Sequence, residues 1–365
     1  MTKFIFISLL MCIVPFAVVC VPRKKIISQE IVNLINSDQK STWEADTYGI
    51  KEVNLEIFSQ NYLGTILPFK YDKNKEMEKD LSQKEYGTLK AKEEKLPAYF
   101  NWATTNKTNC PIGRVRDQSN CGSCWAVSTA SAMQDRFCIQ SKGKINVDFS
   151  SGYIASCDKL NYGCNGGYMY LVYDFLKKNG TITGGDYDSD SGCQPYPVRP
   201  CGPFVDSHKM PCVYRSATTP KCRKKKCSND WHPYREEPES KTYKYKEWTS
   251  IRGNISYTTE YLMRKEIYEN GPITAGFLVY EDFMFYKKGI YVPKYYWASG
   301  GHAVKIVGWG EENNINYWIV QNSWSDRWGE NGFFRIIRGT NACYFESMVN
   351  AGKPDIKNSD YNVHK

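Results

Sequence analysis

The sequence predicts an α+β fold in two halves, on three observations. Residues 124–138 place Ala126, Ala130, Met133 and Phe137 at spacings of four, three and four, one apolar face of a buried helix. "HAVKIVGWG" (302–310) and "YWIVQNSW" (317–324) are strand-like runs around the polar "EENNIN", which reads as a β-hairpin, and "GFFRIIRG" adds a strand. Between these ends, residues 185–235 are rich in Pro, Cys and Gly without a regular period, the mark of a disulfide-held loop. Helices first and antiparallel strands later make the class α+β.

Taken in order, residues 1–20 join an early lysine to an apolar run that ends before "VPRKK", as a secretory signal peptide does. The run contains Pro15 and is short for a bilayer span. The expected product is outside the cytosol and not in a membrane. Residues 21–95 then carry many mixed charges and no cysteine or histidine, so they cannot easily build a core and read as a linker or a removable pro-segment. Within them "SQEIVNLINS" groups Ile31, Val32, Leu34 and Ile35 in a short helix that needs a partner surface. From "LPAYFNW" at 96 the chain changes character, with cysteines, tryptophans and glycine turns together.

Twelve of the fourteen cysteines fall after the signal segment, and in an oxidising compartment most must be structural. Sequons at Asn106, Asn179 and Asn254 fit the same compartment as candidate glycan sites. The net charge of +9 is spread along the chain, with one concentration in "KCRKKKC" (221–227) that reads as a solvated loop, and no nucleic-acid motif accompanies it.

The chemistry gathers at "DQSNCGSCWAVSTASAM" (117–133). A nucleophilic thiol needs its pKa lowered by a helix N-terminus or a nearby cation. Cys124 opens the expected helix, with Ser123 placed to cap it. Of four histidines, only His302 opens a strand-like run, where the backbone fixes its ring. If the hairpin turns near 312 or 313, residue 302 faces 322–324 on the returning strand, so Asn322 meets His302 and orients it while Trp324 screens the bond. Gln118 is a candidate donor to an oxyanion.

"CGSCW" at 121–125 matches the C-G-[SA]-C-[WY] signature of papain-like proteases. His302 lies 302 − 124 = 178 residues on, beyond the usual 130–150 or so. The surplus is about the size of the cysteine-rich loop. With "GCNGGY", "GGHAVKIVGWG" and "NSWSDRWGENGFF", the chain resembles the cathepsin B-like proteases, most of all those of parasitic worms, from about residue 30 to about 352.

That resemblance implies a helical left domain and a β-barrel-like right domain with the cleft between them. It implies Cys124 as nucleophile, His302 as acid/base, Asn322 as orienter and Gln118 as oxyanion donor. Gly166 and Gly167 would bond the substrate backbone, with Gly122, Gly301 and Trp324 in the cleft. Ala275, Gly276 and Met348 would form the pocket for the residue preceding the scissile one. There Met348 takes the place of an acidic residue, so the pocket should prefer Leu, Val or Phe to Arg. Disulfides are implied at Cys110–Cys138, Cys121–Cys164, Cys157–Cys222, Cys193–Cys227 and Cys201–Cys212, leaving Cys124 and Cys343 free.

The family's occluding loop (about 193–227) carries paired histidines that bind a substrate's C-terminal carboxylate. Here Pro203 and Phe204 stand in their place, with His208 and Lys209 nearby, so an endopeptidase with reduced or absent dipeptidyl carboxypeptidase activity is expected. The implied order is signal peptide 1–20, propeptide 21–95, peptidase domain 96–352 and tail 353–365. Expected partners are protein or peptide substrates, the chain's own propeptide and cystatin-type inhibitors, on a monomer in the lysosome or outside the cell. No cofactor, metal, nucleic acid or membrane partner is expected. "YWIVQNSWSDRWGE" approximates a motif of blood-feeding worm proteases, but Gln321 and Arg327 replace its Ala and Asp. The rivals are a thiol–disulfide oxidoreductase using Cys121 and Cys124 as a C-x-x-C pair, for which no thioredoxin-like pattern is visible, and an inactive binding protein on the same scaffold.

Overall fold

The computed structural model describes residues 25–67, 96–105, 108–202, 216–224, 226–229, 243–251, 256–295 and 297–357. The expected signal segment, the sequons at Asn106 and Asn254, and the loop residues Pro203, Phe204, His208, Lys209 and Cys212 lie outside them.

In chain order the elements are β1 (Lys25–Ile27), α1 (Ser28–Ser37), β2 (Trp43–Ala45), β3 (Glu52–Asn54), α2 (Leu55–Tyr62), β4 (Phe100–Asn101), α3 (Cys124–Gln140), α4 (Ser151–Cys157), α5 (Met169–Lys178), β5 (Tyr245–Ser250), α6 (Ser256–Asn270), β6 (Ile273–Tyr280), β7 (Tyr286–Tyr291), β8 (Ala298–Glu312), β9 (Ile315–Gln321), β10 (Phe333–Ile337) and β11 (Val349–Pro354). β11 runs two residues past the expected domain end at 352. α6 went unread because "SYTTEYLMRKEIYEN" shows little apolar patterning: its core contacts are Met263 and Ile267.

The strands pair in the order β2-β7-β10-β9-β8-β6-β11-β5, with β4 added on β8. The end strands do not close on each other among the described residues, so the expected barrel-like half is an open sheet. All neighbours are antiparallel except β7 and β10. The β8–β9 hairpin is as read, but its turn is tighter: Glu312 pairs Ile315, and Asn313 and Asn314 have φ of 52° and 61°, the left-handed pair of a type I′ turn.

α3 departs from its expected single apolar face. Every residue from Cys124 to Cys138 is buried. Ala126, Ala130, Met133 and Phe137 pack into the helical half with Phe149, Ile154, Val172 and Leu176, while Ser131 and Asp135 meet β8 on another side. A helix wedged between two layers has no solvent face to reveal its orientation. Ser123 occupies the N-cap position but does not cap: its hydroxyl bonds the Tyr196 hydroxyl at 2.7 Å.

Residues 25–67 lie on the sheet half. α1 buries Ile31, Val32 and Ile35, as expected, but leaves Leu34 57% exposed, because four apolar residues in five positions cannot all share one helical face. β2 extends the sheet through β7. Trp43 Nε1 donates to the Val292 carbonyl at 3.0 Å, and the Tyr48 hydroxyl donates to the Tyr286 carbonyl and accepts from Gly329 N–H. Asn54 caps α2 by accepting from Glu56 and Ile57 N–H.

Candidate active site

Cys124 is the first residue of α3, fully buried where the helix meets β8 beside Ala303 and Met169. His302 lies inside β8 rather than at its start, opposite Phe277 of β6. β8 and β9 pair in one register up to Gly308; a bulge at Val307 then shifts it so that Lys305 faces Gln321. That shift brings residues 322–324, just beyond β9, to His302.

Asn322 Oδ1 and His302 Nε2 are 2.7 Å apart. Ser323 N–H donates to the same Oδ1 at 2.8 Å, which identifies that atom as oxygen and makes Nε2 the donor to it. The proton therefore sits on Nε2 and Nδ1 keeps a free lone pair. Nδ1 is buried and has no hydrogen-bond partner. Trp324 stacks on the imidazole at 4.7 Å and keeps water from the His–Asn bond. A neutral histidine with its bonded side fixed and its other nitrogen open is set to receive one proton.

The cleft is occupied by the chain's own residues 62–66. Gln118 Nε2 donates to the Tyr62 carbonyl at 3.1 Å and to the Cys121 carbonyl at 3.0 Å, while its Oε1 accepts from Ser323 Oγ at 2.6 Å. Trp324 Nε1 also points at the Tyr62 carbonyl, at 3.4 Å. A propeptide carbonyl thus holds the amide expected to serve an oxyanion. A Cβ on Gly64 would lie 1.9 Å from the Gly122 carbonyl oxygen, so only glycine lets the segment pass this close to the first turn of α3.

Beyond it, Thr65 N–H donates to the Gly301 carbonyl (3.0 Å), Ile66 N–H to the Gly167 carbonyl (2.9 Å), and Gly167 N–H to the Gly64 carbonyl (2.7 Å). The Thr65–Gly167 bridge is parallel. Gly166 takes no part in it: its carbonyl accepts from Tyr162 N–H. The Thr65 hydroxyl is 3.4 Å from the Cys124 sulfur.

A Cβ on Gly276 would lie 3.1 Å from both Met169 Sδ and Met348 Cε and 3.4 Å from the Thr65 methyl, so these groups converge on one hollow floored by bare backbone. Ala275 is buried next to it, opposite Val349. Met169 and Thr65 were not read from the sequence. Met169 carries the helical signature of a core residue, and a threonine in a charged segment gives no signal.

Electrostatics in this closed form reverse the sequence expectation for the thiol. Burial pushes the Cys124 thiol pKa up, and the Thr65 hydroxyl and nearby backbone only partly oppose it. Burial pulls His302 down to about 4, with the Asn322 bond opposing. With residues 62–66 seated, neither group is charged near neutrality.

Four of the expected disulfides are in place: Cys110–Cys138, Cys121–Cys164, Cys157–Cys222 and Cys193–Cys227. Cys201 is disulfide-bonded, and its expected partner Cys212 is outside the described residues. Cys124 and Cys343 are free. Because Cys121 is bonded to Cys164, it is not available to form a C-x-x-C pair with Cys124, which removes the oxidoreductase reading. Asn179 is exposed after α5. Among the described residues no group of three or more His, Cys, Asp or Glu is placed to hold a metal ion.

The profile of the family described as "Papain family cysteine protease" matches residues 96–353. "Cathepsin B-like cysteine proteinase 4" of Caenorhabditis elegans is 38% identical over 346 residues, covering 90% of this chain and 92% of that protein. "Cathepsin B-like cysteine proteinase 1" of Ostertagia ostertagi is 43% identical over 247 residues, covering 67% of this chain and 69% of that protein. The solved structure "proCathepsin B S9 from Trypanosoma congolense" aligns with a TM-score of 0.66 at 29% identity, covering 90% of this chain and 97% of that one. Digestive procathepsin L 3 of Tenebrio molitor shares the fold, with a TM-score of 0.58 at 19% identity, covering 90% of each chain.

Proposed function

The chain belongs to the papain family of cysteine proteases, on its cathepsin B-like branch, and we propose that it is the zymogen of an endopeptidase that cleaves peptide bonds through Cys124. The observation that carries this reading is the His302–Asn322 bond, which leaves Nδ1 open on the strand packed against the helix that begins at Cys124. In the opened site, Nδ1 takes the thiol proton and the sulfur attacks the substrate carbonyl carbon. Gln118 Nε2, released from the Tyr62 carbonyl, donates to the oxyanion. The imidazolium passes its proton to the leaving amine as the C–N bond breaks. Water, deprotonated by the same nitrogen, then hydrolyses the thioester and regenerates the thiol.

Residues 21–95 are the inhibitory propeptide in this reading, with maturation near Leu96. The parallel run of residues 64–66 along Gly167 supports it, since the segment fills the cleft and holds its donors and acceptors. Ion pairs from Asp38 to Lys294 and Asp46 to Lys287 help seat the propeptide. The Lys294 hydrogen bond lowers the Asp38 pKa; for Asp46, burial works against a lowering that Lys287 nevertheless produces. Groups with depressed values contribute above the unfolded pKa of about 3.9 and fail only below it, so these pairs persist at pH 5. Maturation at pH 5 must therefore draw on other groups.

Pro203 and Phe204 in place of a histidine pair leave the loop without a charge-assisted partner for a C-terminal carboxylate. Met348 and Met169 make the neighbouring pocket apolar. The secretory route, to the lysosome or out of the cell, follows from residues 1–20 and the disulfides. The test is cleavage by the matured protein of one peptide with a free C-terminus and of its amide. The two should be cut at rates within a few-fold of each other, and Cys124→Ser should lose activity by at least about 10³-fold. Full activity in the serine variant sinks the catalytic reading, and strong preference for the free acid sinks the endopeptidase reading.

A further inference from the structure

A buried charge pair away from the reacting atoms joins the elements that carry them. Lys305 of β8 is 2% exposed and Asp135 of α3 is 4% exposed. Lys305 Nζ donates to Asp135 Oδ2 at 2.5 Å and to Ser131 Oγ at 2.8 Å. Ser131 Oγ in turn donates to Gln321 Oε1 at 3.4 Å. Gln321 lies directly opposite Lys305 in the β8–β9 register and immediately precedes Asn322. Gln321 is also the residue that departs from the alanine of the motif noted in the sequence. Its Nε2 is buried without a hydrogen-bond partner, a cost that packing alone does not explain.

The network therefore touches three elements at once: the helix that starts at Cys124, the strand that holds His302, and the strand end that presents Asn322. Ser131 and Asp135 lie seven and eleven residues along α3 from Cys124, about 10 and 16 Å at the helical rise. On β8, Ala303 packs beside Cys124, and Lys305, two residues on, shares its face toward α3. One contact at the start of the helix and a second two to three turns along fix both the slide and the tilt of α3 on β8. Arg116, buried and bonded to Gln134 Oε1 and the Phe149 carbonyl, is the further cation whose field reaches both partners.

Buried ion pairs are weak sources of net stability, because desolvation offsets the attraction, but they are exacting about geometry. We propose that Lys305 and Asp135, closed by Ser131 and Gln321, are positioning residues that hold Cys124 at its working distance from His302. This rests on the reading of Cys124, His302 and Asn322 given above, which the activity of the wild type and its loss in Cys124→Ser test separately.

The experiment is the matured full-length protein carrying Lys305→Met with Asp135→Leu, which removes both charges at similar volume and leaves neither unpaired. Misplacement of reacting groups by about 1 Å costs up to about 10²-fold. The double variant should thus lose about 10- to 100-fold in kcat with KM within about 2-fold, and its iodoacetamide labelling of Cys124 should need a higher pH. Lys305→Arg should recover most of the loss. A variant that melts at a lower temperature yet keeps wild-type kcat and labelling profile overturns the proposal. Should the double variant fail to fold, Ser131→Ala with Gln321→Ala keeps the ion pair and is still expected to lose about 3-fold or more in kcat; unchanged kcat there also overturns it.

Discussion

The two halves of the molecule differ in what completes their cores. The helical half is finished by residues of the peptidase region alone, with Trp125, Phe137, Phe149, Tyr153 and Tyr173 packed around α3. The sheet half is not: its apolar cluster also takes in Ile26, Ile31, Val32, Ile35, Trp43, Phe58 and Tyr62 from the propeptide. Phe58 and Tyr62 both meet Trp324, the ring that covers His302. Inhibition is therefore anchored on the half that carries the histidine, and only a short stretch around residues 62–66 crosses to the half that carries the thiol. Removing the propeptide should uncover the sheet half and leave the helical half nearly as it was.

The largest expected effect on this asymmetry is at Trp43, whose ring packs on Tyr286 and Tyr291 of β7. Trp43→Ala in an isolated propeptide should weaken its inhibition of the mature enzyme by about 3–5 kcal/mol, the usual cost of deleting a buried tryptophan. A change of less than threefold in the inhibition constant would mean that the cleft segment, not the sheet docking, carries the affinity.

A middle-sized effect concerns pH. Asp282, between β6 and β7, accepts from the Tyr291 hydroxyl and from Lys294 and Tyr295 N–H, so it braces the stretch on which the propeptide docks. Burial raises its pKa to about 6, against the opposing pull of those donors. A carboxyl raised in the folded state favours folding below its unfolded value of about 3.9, and this contribution is lost as pH rises through 6. The sheet half should be less stable at pH 7 than at pH 4 by up to about 3 kcal/mol from this group. Denaturant titrations of Asp282→Asn should lack that component; an unchanged pH slope would place the sensitivity elsewhere.

The smallest effect lies where the halves meet, in the hollow of Met169, Met348 and Gly276. Met348→Glu should bring arginine into the residue preceding the cleaved one by about tenfold or more in kcat/KM, the worth of one charge-assisted bond. A cleavage profile unmoved by the substitution would show that Met348 does not line that pocket.

Legibility in the sequence follows the same division. Cys124, His302 and Asn322 could be read because each stands in a local pattern with a chemical reason: a helix start, a strand, a residue across a hairpin. The turn was taken as slightly too early and the bulge at Val307 was invisible, yet the two offsets still left Asn322 and Trp324 within the range that faces His302. The propeptide's role was legible in composition, but its contacts were not. Thr65 on the sulfur and the Tyr62 carbonyl on Gln118 depend on pairings between residues far apart in sequence, which no local period records. α6 and the burial of α3 on every side were missed because wholly buried or polar helices lack the amphipathic signal. The lowered thiol pKa expected at a helix N-terminus failed for a related reason, since burial beneath the propeptide outweighs the helix end.

The most direct measurement of the inhibition mechanism is the rate at which iodoacetamide alkylates Cys124 at pH 6, followed by peptide mapping, in the full-length protein and after removal of residues 21–95. Removal should raise the rate about 100-fold, as the thiol gains water and a chargeable His302, while Cys343 stays unlabelled in both forms. Equal labelling of Cys124 before and after removal would contradict it.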